Sequence, residues 1–461
     1  MSKISIQTIE NAVYKLCFEA NTCLNDSVYS KIVEASKVAS SQETKNLLFA
    51  ILENAKIAYE KEMPLCQDTG QVIVFLEIGQ DIQIKGGYIE TAINKAVENC
   101  YKENYFRKSV VKNAISNREN TKTNTPVIIH TKIIEGDKLN IKVLIKGAGS
   151  ENKSKLEMML PTAEENEIIS TIGDLILSAG ENACPPMFIG IGVGLTADGA
   201  MLLSKQALIS DNFSNKEIEF AKKIKEYVNS KAPKKYKNCF VLDIKLLTGQ
   251  THIACMPIGI TINCHSNRFS SCTIEKNKVT YRHKIPDFLC QNIENTKKKE
   301  IYTTDIKKIK ALKENENILL TGEIYVARDM AHKKLVELIN SQNALPFDMK
   351  NKIIFYAGPC PAKPNETTGS IGPTTASRMD KYAEVLYKNG LIATIGKGSR
   401  SNKIKEIIKE TNSKYFTIQG GIAALLAKKI QQSEIIAFDD LGAEALYKIY
   451  VEKFPIKVEL A

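Results

Sequence analysis

Apolar residues recur at helical spacing through the first sixty positions. In SVYSKIVEASKVASSQETKNLLFAILENAKIAYEKE they return every three or four residues among good helix formers, so residues 1–63 read as helical. The period then shortens. QVIVFL (71–76) is an unbroken, β-branched run and reads as a strand entered from the loop PLCQDTG (64–70). Helical spacing returns over 89–104, and strands follow at PVIIHTKII (126–134) and KLNIKVLIK (138–146). Residues 161–180 read as a helix with Thr162 as its cap. The stretch CPPMFIGIGVGLTADGAMLLSKQAL (184–208) reads as a glycine-rich turn ahead of a helix, and 238–264 as short β-like stretches. Around 284–300 the pattern fades into polar, lysine-rich HKIPDFLCQNIENTKKKE, which marks a linker. Beyond it, helices alternate with the strands NILLTGEIYVA and NKIIFYAG. That is the pattern of an α/β layered domain with functional loops at its strand ends.

A chain of 461 residues is too long for one core, so two or three domains are expected. No apolar run is long enough to span a membrane. The start, MSKISIQTIENAVYKLC, lacks a basic segment followed by an apolar one, which predicts no secretory signal and a cytoplasmic protein. The net charge of +11 raises the question of nucleic acid. Its lysines are scattered, as in KKIKEY and KKIKAL, without the interleaved aromatics of a single-strand binder. The charge reads as a solvated, lysine-rich surface, and an anionic small-molecule substrate would also suit it. Eleven cysteines occur without one CxxC pair, which removes the usual zinc-finger and thioredoxin-type signals. A chain this long in a reducing compartment needs no disulfide framework, so most cysteines read as small core hydrophobes.

Three cysteines differ from the rest. Cys66 (PLCQDTG), Cys184 (ENACPPMFIGIGVG) and Cys264 (ITINCHSNR) stand in polar, glycine- or proline-flanked loops far apart in sequence. Three thiolates can hold three irons of a four-iron cluster and leave the fourth open, as a Lewis-acid enzyme requires. Gln67 and Asp68 follow the first of them. KGAGSENK (146–153) offers exposed backbone amides to an anion, or is a plain turn. GIGVG (190–194) has Leu195 where a dinucleotide fingerprint needs a glycine, which argues against a nicotinamide cofactor. His252 (TGQTHIAC) and His265 read more readily as structural residues than as functional ones. Arg328 and His332 share a helix face, which by itself reads as an exposed helix start. GPCPAKPNETTGSIGPTTASRMD (358–380), ending near Arg378, is a long ordered loop, and GKGSRS (396–401) adds Lys397 and Arg400. Cations and backbone donors together are equipment for holding a dicarboxylate.

With these motifs in view, nearly the whole chain resembles the class I, iron–sulfur-dependent fumarate hydratases and the related L-tartrate dehydratases. The resemblance rests on PLCQDTG, GSENK, CPP…GIG, THIA…NCH, TGEIYVARDMAHK, GPxPAKP…GPTT..RMD and IGKG.RS taken together. It implies an α/β fold: a two-lobed cluster-binding part (1–283), a linker (284–297) and a smaller, swivelling layered part (298–461), which many relatives carry as separate subunits. It implies a 4Fe-4S cluster on Cys66, Cys184 and Cys264. Gln67, Arg107, Gly147, Gly149, Arg328, Arg378 and Lys397 would bind substrate, and Asp68, Thr374 and His252 would carry catalysis. The second part would close over the cluster, and the assembly would be a homodimer with neither nucleic acid nor membrane as partner. The implied reaction is reversible hydration of fumarate to (S)-malate, with L-tartrate or mesaconate as alternative substrates. A cluster- or zinc-containing nucleic-acid binder and a redox iron–sulfur protein are readings from other classes. The first lacks CxxC pairs and the second a fourth loop of matching texture. The chain departs from the family in a shorter stretch between Cys184 and Cys264 and in Cys360, where a small non-cysteine residue is usual. Cys255 and Cys360 are given no role.

Overall fold

The protein is described by a computed structural model covering residues 2–116, 118–180, 183–288 and 299–461. The chain divides into two compact units, Met1–Gln291 and Asn292–Ala461. Most of the linker expected at 284–297 lies outside the described residues.

The first unit opens with β1 (Ser2–Ser5), then α1 (Ile6–Thr22), α2 (Asp26–Val38) and α3 (Gln42–Glu60). Side chains just before each helix satisfy its free amides: Ser5 accepts from Thr8, Asn25 from Ser27 and Ser41 from Thr44. Next come β2 (Gln71–Gly79), β3 (Ile82–Lys85), α4 (Ile89–Glu103), β4 (Ile128–Ile134), β5 (Lys138–Lys146) and the single turn α5 (Ala148–Glu151). The unit continues through β6 (Lys155–Met159), α6 (Glu165–Ser178), β7 (Met187–Leu195), α7 (Ala197–Leu208) and α8 (Asn215–Lys231). It ends with β8 (Val241–Thr251), β9 (Met256–Cys264), β10 (Arg268–Glu275) and β11 (Lys278–Tyr281).

These strands form two main sheets, ordered β11-β10-β5-β2-β4 and β6-β9-β7-β8. Each has its own core, so the unit is two-lobed. In the first lobe Val13, Leu16 and Cys17 of α1 and Ile93, Val97 and Cys100 of α4 bury against Val72, Val74, Ile141 and Val143. In the second, Ile172 and Ile176 of α6 and Ile224 and Val228 of α8 cover Ile189, Ile191, Ile258 and Ile260. The chain passes between the sheets after β5, through residues 147–154, and again after β9, through residues 265–267.

Residues 187–195 correct the sequence reading. GIGVG is the middle of strand β7, not a turn. A side chain on Gly190 would overlap the Ser204 carbonyl oxygen of α7, and one on Gly192 that of Ala200. The glycines are there because a helix packs directly on the strand backbone. KGAGSENK likewise contains the helical turn α5, and the helix expected from 161 begins at Glu165 with Glu164 before it, so Thr162 is not its cap.

The second unit contains β12 (Lys299–Tyr302), α9 (Ile306–Lys310), β13 (Asn317–Val326), α10 (Asp329–Asn340), β14 (Ile353–Phe355) and α11 (Asp380–Lys388). It then runs through β15 (Ala393–Gly396), α12 (Asn402–Glu410), β16 (Lys414–Thr417), α13 (Ala423–Ala427), β17 (Ile430–Ala437) and β18 (Leu446–Leu460). From β12 to β16 neighbouring strands are parallel, as strand–helix alternation predicts. The ending differs: β17 and β18 are an antiparallel pair, and β18 bonds both β16 and β13, so the sheet closes on itself. Leu335, Ala383, Leu386, Ile404 and Ile408 pack one face around Ile354, Tyr356 and Tyr415.

Candidate active site

Sheet register places most of the candidate residues of the first unit at one junction. Cys264 ends β9 opposite Met187, so it lies close to Cys184, which stands three residues before that partner. Gln71 opens β2 opposite Lys146, and Arg268 opens β10 opposite Ile145. The PLCQDTG loop, the end of β5 and the start of β10 therefore meet where the chain crosses between sheets.

The PLCQDTG loop is held from below. Leu65 donates its amide to the Asn21 carbonyl (2.9 Å) and accepts from the Asn54 side chain (3.0 Å). The Tyr101 hydroxyl donates to the Thr69 carbonyl. Gly70 has φ +68°, and a Cβ there would sit 2.7 Å from the Lys146 carbonyl oxygen, so the turn needs glycine on both counts.

Asp68 lies on this turn, and its carboxylate accepts from the amides of Gly70 (3.2 Å) and Ala148 (2.9 Å). Arg107 stands 3.4 Å away. Burial alone would raise the Asp68 pKa; Arg107, then Arg268, and the two amides outweigh it and hold the carboxyl below its ordinary value. Asp68 is thus an ionised carboxylate at neutral pH. Gly147 fits against it: an added Cβ would meet Asp68 Oδ2 at 3.3 Å and the Arg268 guanidinium at 3.4 Å. The loop amides expected to bind an anion are thus partly engaged by Asp68.

The three cysteines feel one another. Burial pushes the Cys66 thiol up; Arg268 opposes this, while Asp68 and Cys184 add to it. Cys264 is pushed up to about 11 by burial, then by Cys184 and Cys66, again with Arg268 opposing. Among the described residues no group of three or more His, Cys, Asp or Glu side chains closes around a single metal ion. Three thiols on three different segments are the donor set that three irons of a four-iron cluster take. A coordinated thiol loses its proton outright, and the buried cation Arg268 stands beside the charge this creates. The donor set therefore fits a three-cysteine cluster site.

His252 is placed elsewhere. It is exposed in the turn between β8 and β9, where its Nδ1 accepts from the Ala254 amide (3.1 Å). Cys264 is at the far end of β9, a nine-residue strand about 26 Å long. Within one chain His252 and the cysteines are not brought together.

Sequence reasoning passed over two buried cations in this unit. Arg268 is 3% exposed and lies in the stretch NCHSNR that was singled out for Cys264. Lys146 is also 3% exposed. Its Nζ donates to the Ile262 carbonyl (2.6 Å) and Ser150 Oγ (3.0 Å), with Glu151 at 3.4 Å. Burial lowers its pKa to about 8, against the pull of Glu151.

The second unit holds Arg328 just before α10, Thr374 and Lys397 between regular elements, and Arg378 in a single 3-10 turn (Ala376–Met379) ahead of α11. Arg328 precedes α10 and faces Glu444 at 3.7 Å, and Arg378 pairs with Asp329 at 2.7 Å. The Thr374 amide donates to the Tyr356 carbonyl (2.7 Å), and Lys397 donates to the Thr374 carbonyl (3.1 Å). His332, expected at an exposed helix start, is fully buried. Its ring stands edge-on to Tyr356 and stacks on Tyr382, with Nδ1 at 2.7 Å from the Arg328 carbonyl. Burial drops its pKa to about 4, so it is neutral.

Comparison with known proteins shows the family. Residues 10–273 match the family model described as fumarate hydratase (fumerase), and residues 272–461 match that of the fumarase C-terminus. The anaerobic class I fumarate hydratase of Escherichia coli is 30% identical, with 90% of this chain and 81% of that protein covered. The aerobic class I enzyme of the same organism is 28% identical over the same shares. A Methanocaldococcus jannaschii protein, provisionally named L(+)-tartrate dehydratase subunit alpha, is 37% identical over 56% of this chain and 95% of its own length. The fold, the paired matches and these relatives place the chain among the hydro-lyases. It belongs to the class I fumarate hydratase family, with the N-terminal and C-terminal family parts joined in one polypeptide. Among the described residues no helix is long and apolar enough to cross a membrane.

Proposed function

We propose that this chain reversibly hydrates fumarate to (S)-malate with a 4Fe-4S cluster held by Cys66, Cys184 and Cys264. One observation carries the reading: sheet pairing sets Cys264 close to Cys184, and the turn that carries Cys66 also carries an ionised Asp68 with Arg107 at 3.4 Å. When bound, the cluster supplies a Lewis acid at an iron that no cysteine occupies.

The chain's own residues handle the proton and the carboxylates. The proton removed from (S)-malate lies beside a carboxylate and is weakly acidic. Cations over that carboxylate stabilise the charge that develops as the proton leaves. We assign this to Arg107 in the first unit and to Arg328, Arg378 and Lys397 in the second. Gln67, Gly147 and Gly149 are assigned to orienting substrate. Acid–base work is assigned to Asp68 and Thr374: a threonine hydroxyl alone is too weak a base, whereas Asp68 is ionised at neutral pH.

We further propose a homodimer. His252 stands too far from the cysteines of its own chain, so a catalytic role for it requires the site of a second copy. A cytoplasmic, reducing location accords with the free thiols of all ten described cysteines.

The test is anaerobic purification, cluster reconstitution and measurement of fumarate absorbance after adding (S)-malate, with L-tartrate and mesaconate in parallel. Turnover of malate that is lost in Cys66→Ser supports the reading. A reconstituted cluster without dicarboxylate turnover refutes it. The tartrate-dehydratase name carried by one relative keeps L-tartrate as the second reading, and faster turnover of tartrate than malate would establish it.

A further inference from the structure

Two loops of the second unit carry Thr374, Arg378 and Lys397, yet little backbone joins them. Thr375 and Lys397 form an isolated parallel bridge. Around it lie two hydrogen bonds, Lys397 N–H to the Thr374 carbonyl (3.1 Å) and Ala376 N–H to the Lys397 carbonyl (2.9 Å). Such a short ladder does not by itself hold three side chains to the tolerance that catalysis demands. Beneath it lies a buried charge, Arg400, whose side chain is 0% exposed. Its Nε stands 3.0 Å from Asp380 Oδ1, two residues after Arg378. Its guanidinium lies 5.3 Å from the ring centres of both Tyr356 and Tyr415, and one nitrogen reaches the Ala376 carbonyl at 3.4 Å. The other Asp380 oxygen accepts from the Ser401 amide (2.8 Å), and Tyr415 donates to the Gly398 carbonyl (2.7 Å).

We infer that Arg400 and Asp380 are positioning residues that clamp the 374–380 and 396–401 loops in register, fixing Thr374 and Arg378 relative to Lys397. Neither is assigned to touch substrate. The inference deepens the hydro-lyase reading and rests on it for the catalytic consequence. The physical ground is that a buried ion pair adds little net stability, and apolar residues of similar volume often replace one without loss of fold. What an apolar pair does not reproduce is the charge attraction between Asp380 and Arg400 and the Arg400 donation to the Ala376 carbonyl. Tyr356 belongs to the same layer: its carbonyl holds Thr374 and its ring lies between His332 and Arg400.

The experiment uses the full, reconstituted chain and the double variant Arg400→Met/Asp380→Leu, with Arg400→Lys beside it. Four quantities are read: kcat, KM for (S)-malate, the thermal midpoint, and hydrogen exchange at the Ala376, Lys397 and Ile395 amides. The inference expects the double variant to keep its thermal midpoint and its KM within about threefold while kcat falls at least tenfold, since a misplacement of about 1 Å can cost a hundredfold. Exchange should quicken at Ala376 and Lys397 but not at Ile395 in β15. Arg400→Lys should not restore kcat, because an ammonium lacks the planar guanidinium that lies against Tyr356 and Tyr415 while it reaches the Ala376 carbonyl. Wild-type kcat in the double variant overturns the inference, as does exchange that quickens equally at Ile395. If the wild-type chain turns over no dicarboxylate, the hydro-lyase reading fails instead, and the exchange pattern still decides the clamp.

Discussion

Arg268→Met is the sharpest perturbation of the first unit. Methionine keeps the length of the stem, so the change removes mainly charge from a residue 3% exposed. Asp68 then loses one of two cations but keeps Arg107 at 3.4 Å and the amides of Gly70 and Ala148. Removing one partner of a buried pair costs about 3–5 kcal/mol; with Arg107 and both amides in place, about 2–3 kcal/mol is expected. At about 1.4 kcal/mol per decade, that opens the site roughly 30- to 150-fold more often. Hydrogen exchange at the Gly70 and Ala148 amides reads this directly, because both donate to Asp68. The sign with pH follows from linkage. A depressed carboxyl pKa contributes stability above its unfolded value of about 3.9, and that stability is lost as pH falls through the lower folded value. Arg268→Met reduces the depression, so its cost should be full at pH 7 and shrink as pH falls below about 4. An exchange change under threefold at pH 7, or one of equal size at both pH values, would refute the reasoning.

Two further changes test neighbouring parts of the account. Gly192→Ala sets a methyl against the Ala200 carbonyl of α7 and should cost about 2–3 kcal/mol in thermal unfolding, whereas a loss under about 0.5 kcal/mol would show that α7 does not rest on β7. For Lys146, burial depresses the pKa to about 8, so between pH 8 and about 10.4 the unfolded chain holds the extra proton and stability rises with pH. Wild type should gain on Lys146→Met by about 2 kcal/mol across that window, and parallel pH curves would contradict the buried cation.

What could be read from the sequence was whatever has a local signal. Cys66, Cys184 and Cys264 stand out because polar, glycine-flanked loops are unusual places for a small hydrophobe. Helices and parallel strands follow from period. Arg268 was missed although NCHSNR had been singled out, since nothing local says which way a residue four positions after Cys264 points. Only the pairing of β10 with β5 sets it beside Gly147 and Asp68. GIGVG resembled a turn by composition, yet Gly190, Gly192 and Gly194 alternate with Ile191 and Val193. That period of two was the overlooked strand signal. His332 was expected on an exposed face, and the tyrosines that bury it, Tyr356 and Tyr382, come from later segments. Closure of the second sheet by β18 pairs residues more than a hundred positions apart, which no window of sequence reports.

The central claim is that Cys66, Cys184 and Cys264 leave one iron of the cluster available to a dicarboxylate. Mössbauer spectroscopy of the anaerobic, iron-57-reconstituted full chain, recorded with and without (S)-malate, tests it most directly. The account predicts that about a quarter of the iron signal changes environment on adding malate while the rest stays constant. A spectrum unaffected by malate, with every iron equivalently ligated, would contradict it.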